Sequence, residues 1–339
     1  MDNIEVSVII PTYNRAELLI QTLESLILQD YPKNQFEVIV VDNNSEDGTA
    51  QRISTFISAN PDTLNLKYTL EKRQGDIYAR HSGAYNSEGR ILLFTDDDAT
   101  FDKNWISDVV HVFEKYPDAG AVGTRISIVW DNPPEAWVYN YESLLGKISK
   151  GDGYTVQESG MYINNGSLAI KKDIFAEVRG NNPGQIKDFL IGDAEMGLCR
   201  KLHAKKISIA FTDNTTMWHH QFVNKNGTFK DIMRRVANNG VAEAYTDYFI
   251  HHSRTRMHLI IPILKSAMQI LEAYLLLNKK KIINSRLKLN QLLHRYKFIK
   301  RFQTDRELIS VMNTNDWQYD TNYVGSELIY NNKIRNGNN

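Results

Sequence analysis

Two patterns of apolar residues alternate over the first hundred positions. Short, nearly unbroken apolar runs stand at residues 6–10, 36–41 and 91–95, and 66–70 reads as a further strand. Between them apolar residues recur at helical spacing, most clearly in 15–29, where Leu19, Leu23, Leu26 and Ile27 share one face. The unbroken runs predict strands covered on both faces, and the spaced ones predict helices over 15–29, 47–59 and 76–87. Asn14, with Glu17 three positions on, reads as a capping box for the first helix, which Tyr31-Pro32 ends. Strands alternating with helices imply βαβ units and right-handed crossovers. The fold class expected is α/β, a mostly parallel Rossmann-like sheet flanked by helices.

The second half is less regular. Residues 163–170 read as a strand, 193–204 as a helix and 207–211 as a short strand, and beyond about 228 the chain turns helical and basic. The expected division is a 1–225 domain, with halves 1–100 and 101–225, then a helical basic region over 226–310 and a tail over 311–339. The polar end of that tail, NNKIRNGNN, is expected to be disordered.

Forty basic residues balance forty acidic ones. This net neutrality removes a global footprint for nucleic acid, so no nucleic-acid partner is expected. The single cysteine, Cys199, builds neither a disulfide framework nor a zinc site and points to a reducing, cytoplasmic setting. The first fifteen residues lack the basic and apolar regions of a secretory signal.

Ligands of open α/β sheets sit at the carboxyl ends of the strands. Here those ends read Pro11-Thr12-Tyr13-Asn14-Arg15, then Asp42, then Asp96-Asp97-Asp98. Three successive aspartates after a buried strand repel one another unless a counter-cation is present, so they point to a metal. An all-oxygen set favours Mg²⁺ or Mn²⁺ over zinc. In an extended segment alternate residues point the same way, which pairs Asp96 with Asp98. Neither a GxxxxGK[ST] loop nor GxGxxG after a strand is present, which disfavours an ordinary NTPase or dinucleotide enzyme. Phosphates would instead meet the metal and side chains such as Arg15 and Arg80.

In order and spacing, VSVIIPTYNR, VIVVDNNSEDGT and GDIYARHSGAYNSEGRILLFTDDDA resemble the inverting family 2 glycosyltransferases of the GT-A fold, over roughly residues 5–225. The resemblance implies that Pro11, Thr12, Tyr13 and Arg15 line a nucleotide pocket with Asp96 and Asp97, and that Asp42 bonds the base or ribose. Arg80 would face the base or the diphosphate, with His81 standing where the family usually has asparagine. Asp96 and Asp98 match the DxD pair, Asp98 as the direct metal ligand. The segment FLIGDAEMGLCRKL resembles the family's acidic motif and leaves Asp193 and Glu195 both open as catalytic base, with Gly192 in place of a glutamate. His219 and His220, expected in a loop after the short strand, are candidates for completing the metal site, His220 by slightly better spacing. Asn165 and Gly166 would lie near the donor sugar. Trp130, Trp137 and Tyr139 would stack on sugar rings or pack in the core.

The implied reaction moves a sugar, with inversion, from a nucleotide-diphosphate donor (a UDP-sugar favoured) to a hydroxyl on a glycan or lipid-linked acceptor, in cell-surface polysaccharide or glycolipid synthesis. Two rivals remain: a non-catalytic sugar-nucleotide or glycan-binding module, and a metal-dependent nucleotidyltransferase. The latter would want a glycine-rich loop after the first strand, and PTYNR contains no glycine. Residues 257–277 are strongly apolar but carry Lys265, Glu272 and Pro262, and Lys279-Lys280-Lys281 follow. A basic amphipathic helix of this kind suits peripheral contact with the inner face of the plasma membrane; packing on the catalytic domain or a homodimer is the alternative.

Overall fold

A computed structural model describes residues 4–312, apart from 62, 152, 158, 187–188 and 252–254. The expected tail beyond 312 lies outside the described residues. The first half runs β1 (Val6–Thr12), α1 (Ala16–Ile27), β2 (Phe36–Asp42), α2 (Thr49–Ala59), β3 (Leu66–Leu70), α3 (Asp76–Asn86) and β4 (Ile91–Thr95). β3, β2, β1 and β4 lie side by side, all parallel. Successive side chains of these strands feed opposite layers: Val6, Val8 and Ile10 join α1, whereas Ile9, Ile39 and Phe94 join α3. That double burial is why β1, β2 and β4 are nearly continuous apolar runs, whereas β3, at the sheet edge, is partly exposed.

After β4 the chain adds β5 (Ala99–Phe101), α4 (Trp105–Lys115), β6 (Ala119–Trp130), β7 (Tyr154–Gln157), β8 (Ser167–Lys171) and α5 (Lys172–Glu177). Two short strands, β9 (Gln185–Ile186) and β10 (Phe189–Leu190), precede α6 (Ala194–Ala204) and β11 (Ser208–Gln221). β5, β6, β7, β8 and β11 extend the sheet to nine strands, β3-β2-β1-β4-β8-β6-β11-β5 with β7 also on β11, while β9 and β10 pair separately. β8 runs antiparallel to both β4 and β6, and β5 and β7 run antiparallel to β11. The parallel order expected from the sequence thus describes the first half, and the second half is mixed.

Two local expectations change. Asn14 does not cap α1: it sits at φ 52° and its Oδ1 accepts from the Glu46 N–H at 2.8 Å. The Ala16 N–H is met instead by Asp47 of the next strand-end loop, at 3.2 Å, and Glu17 pairs with Arg52 of α2. The two loops at the strand tips are therefore tied to each other. The second change is larger. β11 is a fourteen-residue strand, not a short one followed by a loop. An irregularity between Thr212 and Thr216 lets it continue, and its far half pairs with β5, His219 opposite Ala99.

The helical region comprises α7 (Val223–Asn226), α8 (Phe229–Tyr245), α9 (Ile260–Leu275), α10 (Lys279–Thr304) and α11 (Arg306–Met312). α8, whose first turn is capped by the Thr228 hydroxyl, packs along α10 through Val241, Leu292 and Ile299. Among the described residues, no helix is long and apolar enough to cross a membrane.

Candidate active site

β4 delivers the three aspartates to the tip of the sheet, and the pairing of β5 with β11 brings a histidine to them. Asp96, Asp98 and His219 each offer a ligand atom, all within 4.8 Å of one another. Because His219 and His220 are consecutive on a strand, their rings go to opposite sides. His219 Nε2 lies 3.1 Å from Asp98 Oδ1, while His220 Nε2 bonds the Thr100 hydroxyl at 2.9 Å. The structure therefore brings His219 to the aspartates, rather than the His220 that spacing favoured.

These groups suit a divalent cation. His219 Nδ1 stands 2.9 Å from the Leu145 carbonyl, which only accepts, so Nδ1 carries the proton. Nε2 is left to ligate. Asp98 Oδ1 is buried and no donor is aligned with it, an arrangement that costs free energy unless a cation completes it. Burial works against the Asp98 charge, but the proton that His219 Nε2 carries towards Asp98 until a cation displaces it, together with the Arg15 guanidinium, holds the Asp98 carboxyl below the usual range.

Asp97 is turned the other way. It accepts from the Thr12 hydroxyl at 2.7 Å and from Arg15 at 3.0 Å. Burial pushes its carboxyl up to about 6, with Asp98 adding to the rise and Arg15 opposing it. Arg15 also reaches Asp98 at 2.9 Å and remains half-exposed.

Arg80 does not face a diphosphate. Its guanidinium is buried and spent on Asp76, Asp96, the Thr95 carbonyl and the Asn165 carbonyl. Its contact with Asp96 Oδ1, at 2.6 Å, makes it a positioning residue that aims the other carboxylate oxygen. Gly166 acts on that second oxygen. A Cβ there would meet Asp96 Oδ2 at 2.8 Å and Asn164 Oδ1 at 3.0 Å, so the glycine makes room for the Asp96 carboxylate. Gly166→Ala is expected to weaken Mn²⁺ affinity by about ten- to a hundredfold, as measured by metal titration followed calorimetrically. Unchanged affinity would show that Asp96 is not held this way.

A cavity of about 550 Å³ opens over the aspartates, lined by Pro11, Thr12, Tyr13, Arg15 and His219 among others. Tyr13 is exposed there rather than packed against α1. Asp42 does not line it: the side chain is buried and accepts from the Tyr68 hydroxyl and the Ser45 N–H. Its neighbour Asn43 lines the wall and accepts from the Gly75 N–H at 2.7 Å. Two cations that the sequence reading passed over, Arg234 and Arg235, reach the same cavity from α8. Arg235 Nε is buried without a partner. Their only signal in the sequence was a basic helix in a region read as an appendage.

A second cavity, of about 1020 Å³, shares Gln74, Gly75, Asp76 and Arg235 with the first. Asp193 and Glu195 both border it, in different states. Asp193 is buried with its oxygens engaged by Arg200, by Asn182 at 2.8 Å and by the Tyr245 hydroxyl at 3.2 Å. The Glu195 carboxylate accepts weakly from the Asn165 amide, at 3.5 Å, and from its own backbone N–H, and burial raises its carboxyl above the usual range. Gly192 has φ 62°, and a Cβ there would lie 3.0 Å from Ala242 of α8. Glycine in place of the usual acid lets α8 close on this loop.

The remaining residues fall into packing roles. Trp137 is buried against Tyr141 and Phe229 in a core with Ile232 and Leu287, not on a sugar-binding wall. The Trp130 indole donates to Glu142, and Tyr139 is exposed. His81 is fully buried, accepts from the Asn181 N–H and packs edge-on to Phe175. Cys199 is a buried thiol pushed up to about 12 by burial, an inert packing residue.

The sheet order and the tip cluster define a GT-A type transferase fold. The profile described as Glycosyl transferase family 2 matches residues 7–179, about half of the chain. The chain belongs to that family. Glycosyltransferase AglE of Haloferax volcanii is 42% identical over 128 residues, 38% of this chain and 38% of that protein. The glucosyl-dolichyl phosphate glucuronosyltransferase of the same organism is 31% identical over 205 residues, 59% of this chain and 63% of that one. The chain thus spans less than two-thirds of the length of these relatives. Among solved structures, the Pyrobaculum calidifontis mannosyltransferase PcManGT in complex with GDP-Man and Mn²⁺ superposes with a TM-score of 0.60, at 21% identity, over 89% of this chain and 88% of that one. Staphylococcus aureus TarS 1–349 gives 0.51 at 15% identity, over 89% and 92%. At such identities the likeness speaks for the fold.

Proposed function

We propose that this chain is an inverting, metal-dependent glycosyltransferase that moves a sugar from a nucleotide-diphosphate donor, a UDP-sugar by preference, to a hydroxyl on a glycan or lipid-linked acceptor. Cell-surface polysaccharide or glycolipid synthesis is the setting that its relatives support. One observation carries the reading: an aspartate–aspartate–histidine cluster floors a nucleotide-sized cavity, and that cavity adjoins a larger one bordered by a partly buried carboxylate, Glu195. Asp96, Asp98 and His219 would hold Mn²⁺ or Mg²⁺; the imidazole tips the set towards Mn²⁺. The bound cation would act as a Lewis acid that offsets charge on the departing diphosphate.

The chain's own groups do the rest. Tyr13 stacks on the base. Arg15, Arg234 and Arg235 face the diphosphate in the role that Arg80, spent on Asp76 and Asp96, does not fill. Glu195 is the better-placed general base: its raised basicity suits proton removal from the acceptor hydroxyl as that oxygen attacks from the face opposite the leaving group. Asp193 then holds the loop in shape through Arg200, Asn182 and Tyr245. We place the catalytic unit at residues 1–225, with α8 completing both cavities from the helical region.

Thermal melting against UDP-, GDP- and dTDP-sugars with Mn²⁺ tests the donor class. A matching donor at a hundred times its Kd is expected to add about 2.7 kcal/mol of stability, only with the metal present. If no donor shifts the melt, or if the shift is independent of metal, the proposal fails.

A further inference from the structure

α9 is built inside out. Its buried positions hold the small Ser266 and Ala273, and although Ile263 packs against the helical core, most of its large apolar residues face away from the protein. Ile261, Leu264, Met268, Leu271 and Leu275 recur at helical spacing as one stripe, with relative exposures of 75%, 58%, 70%, 67% and 85%. The stripe does not stop with the helix. Tyr274, Leu276 and Leu277 extend it through the turn into α10, Leu277 at φ 47° and 88% exposed. An apolar surface this continuous marks an interaction site.

Charge identifies the partner. Lys265 emerges on the stripe's flank, and Lys279, Lys280 and Lys281 open α10 directly after the leucine turn. The acidic group nearest the stripe, Glu272, is neutralised by Lys281 at 2.7 Å, and Lys279 meets Glu135 at 3.1 Å. Lys265 and Lys280 have no carboxylate partner among the described residues. Pairing with a second copy would cover a helical seam but leave the turn leucines wet, and it would bring two lysine clusters towards each other. A bilayer surface covers stripe and turn together, accepts the tyrosine at its interface, and offers phosphates to lysines that snorkel from the edge. At 1.5 Å per residue, α9's sixteen residues span about 24 Å, short of the roughly 30 Å hydrocarbon core, so the helix lies flat.

We propose that α9 and its leucine turn lie in the headgroup–acyl boundary of an anionic bilayer, with Lys265 and Lys280 on lipid phosphates. This docking does not depend on the sugar-transfer reading.

The test is co-sedimentation of the full chain with phosphatidylglycerol–phosphatidylcholine vesicles and with phosphatidylcholine vesicles alone. Binding is expected to the anionic vesicles at low salt and to weaken as salt rises. Leu271→Glu with Leu275→Glu is expected to cut it by more than about tenfold, and Lys265→Gln or Lys280→Gln by about fivefold each, all with unchanged melting temperatures. No vesicle binding by the parent chain overturns the proposal, as does equal binding to both vesicle types. A dimer in sedimentation velocity that the double glutamate variant dissolves, with vesicle binding intact, also overturns it and assigns the stripe to a second copy.

Discussion

Asp98→Asn is expected to lower metal-dependent turnover by about a thousandfold, equivalent to about 4 kcal/mol of lost transition-state stabilisation. Asparagine keeps the shape of the side chain but removes the charge that faces both His219 and Arg15. Asp97 is no substitute: it is bound to Thr12 and Arg15, and burial leaves its carboxyl titrating near 6. Asp96 and His219 would remain as a two-point site too weak to hold the cation at ordinary concentrations. Initial rates of nucleotide release across a Mn²⁺ titration are the measurement. A variant that reaches parental turnover at the same Mn²⁺ concentration would remove Asp98 from the metal site.

Glu195→Gln is expected to cost roughly a hundred- to ten-thousandfold in kcat while leaving donor affinity almost unchanged, the signature of a lost general base. Burial favours the protonated form of Glu195, so its carboxyl titrates above the ordinary range. A base works deprotonated, so activity should fall on acidification through that raised value, and Glu195→Gln should lack this limb of the pH profile. Asp193→Asn is expected to act differently. Its oxygens satisfy Arg200, Asn182 and Tyr245, so the variant should lose thermal stability and activity together. The opposite outcome, a stable Asp193→Asn with collapsed kcat beside an active Glu195→Gln, would hand the role to Asp193.

The strands of the first half were legible because burial on both faces leaves no room for polar alternation: Val38, Ile39, Val40 and Val41 are all fully buried. The aspartate triplet was legible because like charges at a strand tip need a reason. His219 was not. The polar run Thr212–Thr216 disguises the middle of β11, and the irregularity there restores the strand in a register that its pairing with β6 and β5 defines. Arg80 was misjudged because a charge by itself does not reveal its partners, although Asp76, four residues earlier on the same helix, was a readable hint. Trp137 could stack or pack on sequence grounds, and the choice came from Phe229, Ile232 and Leu287, nearly a hundred or more positions away. Arg234 and Arg235 escaped notice for the same reason: long-range folding of α8 over the sheet tip, not any local motif, makes them part of the site.

The account rests on cation-assisted capture of a nucleotide sugar by the sheet tip. Calorimetric titration of a UDP-sugar into the intact chain, with Mn²⁺ and with chelator, for the parent and for Asp98→Ala, tests it most directly. The account predicts saturable binding with Mn²⁺, at least about tenfold weaker in chelator, and no such metal dependence in Asp98→Ala. Equal affinity in all four titrations would contradict it.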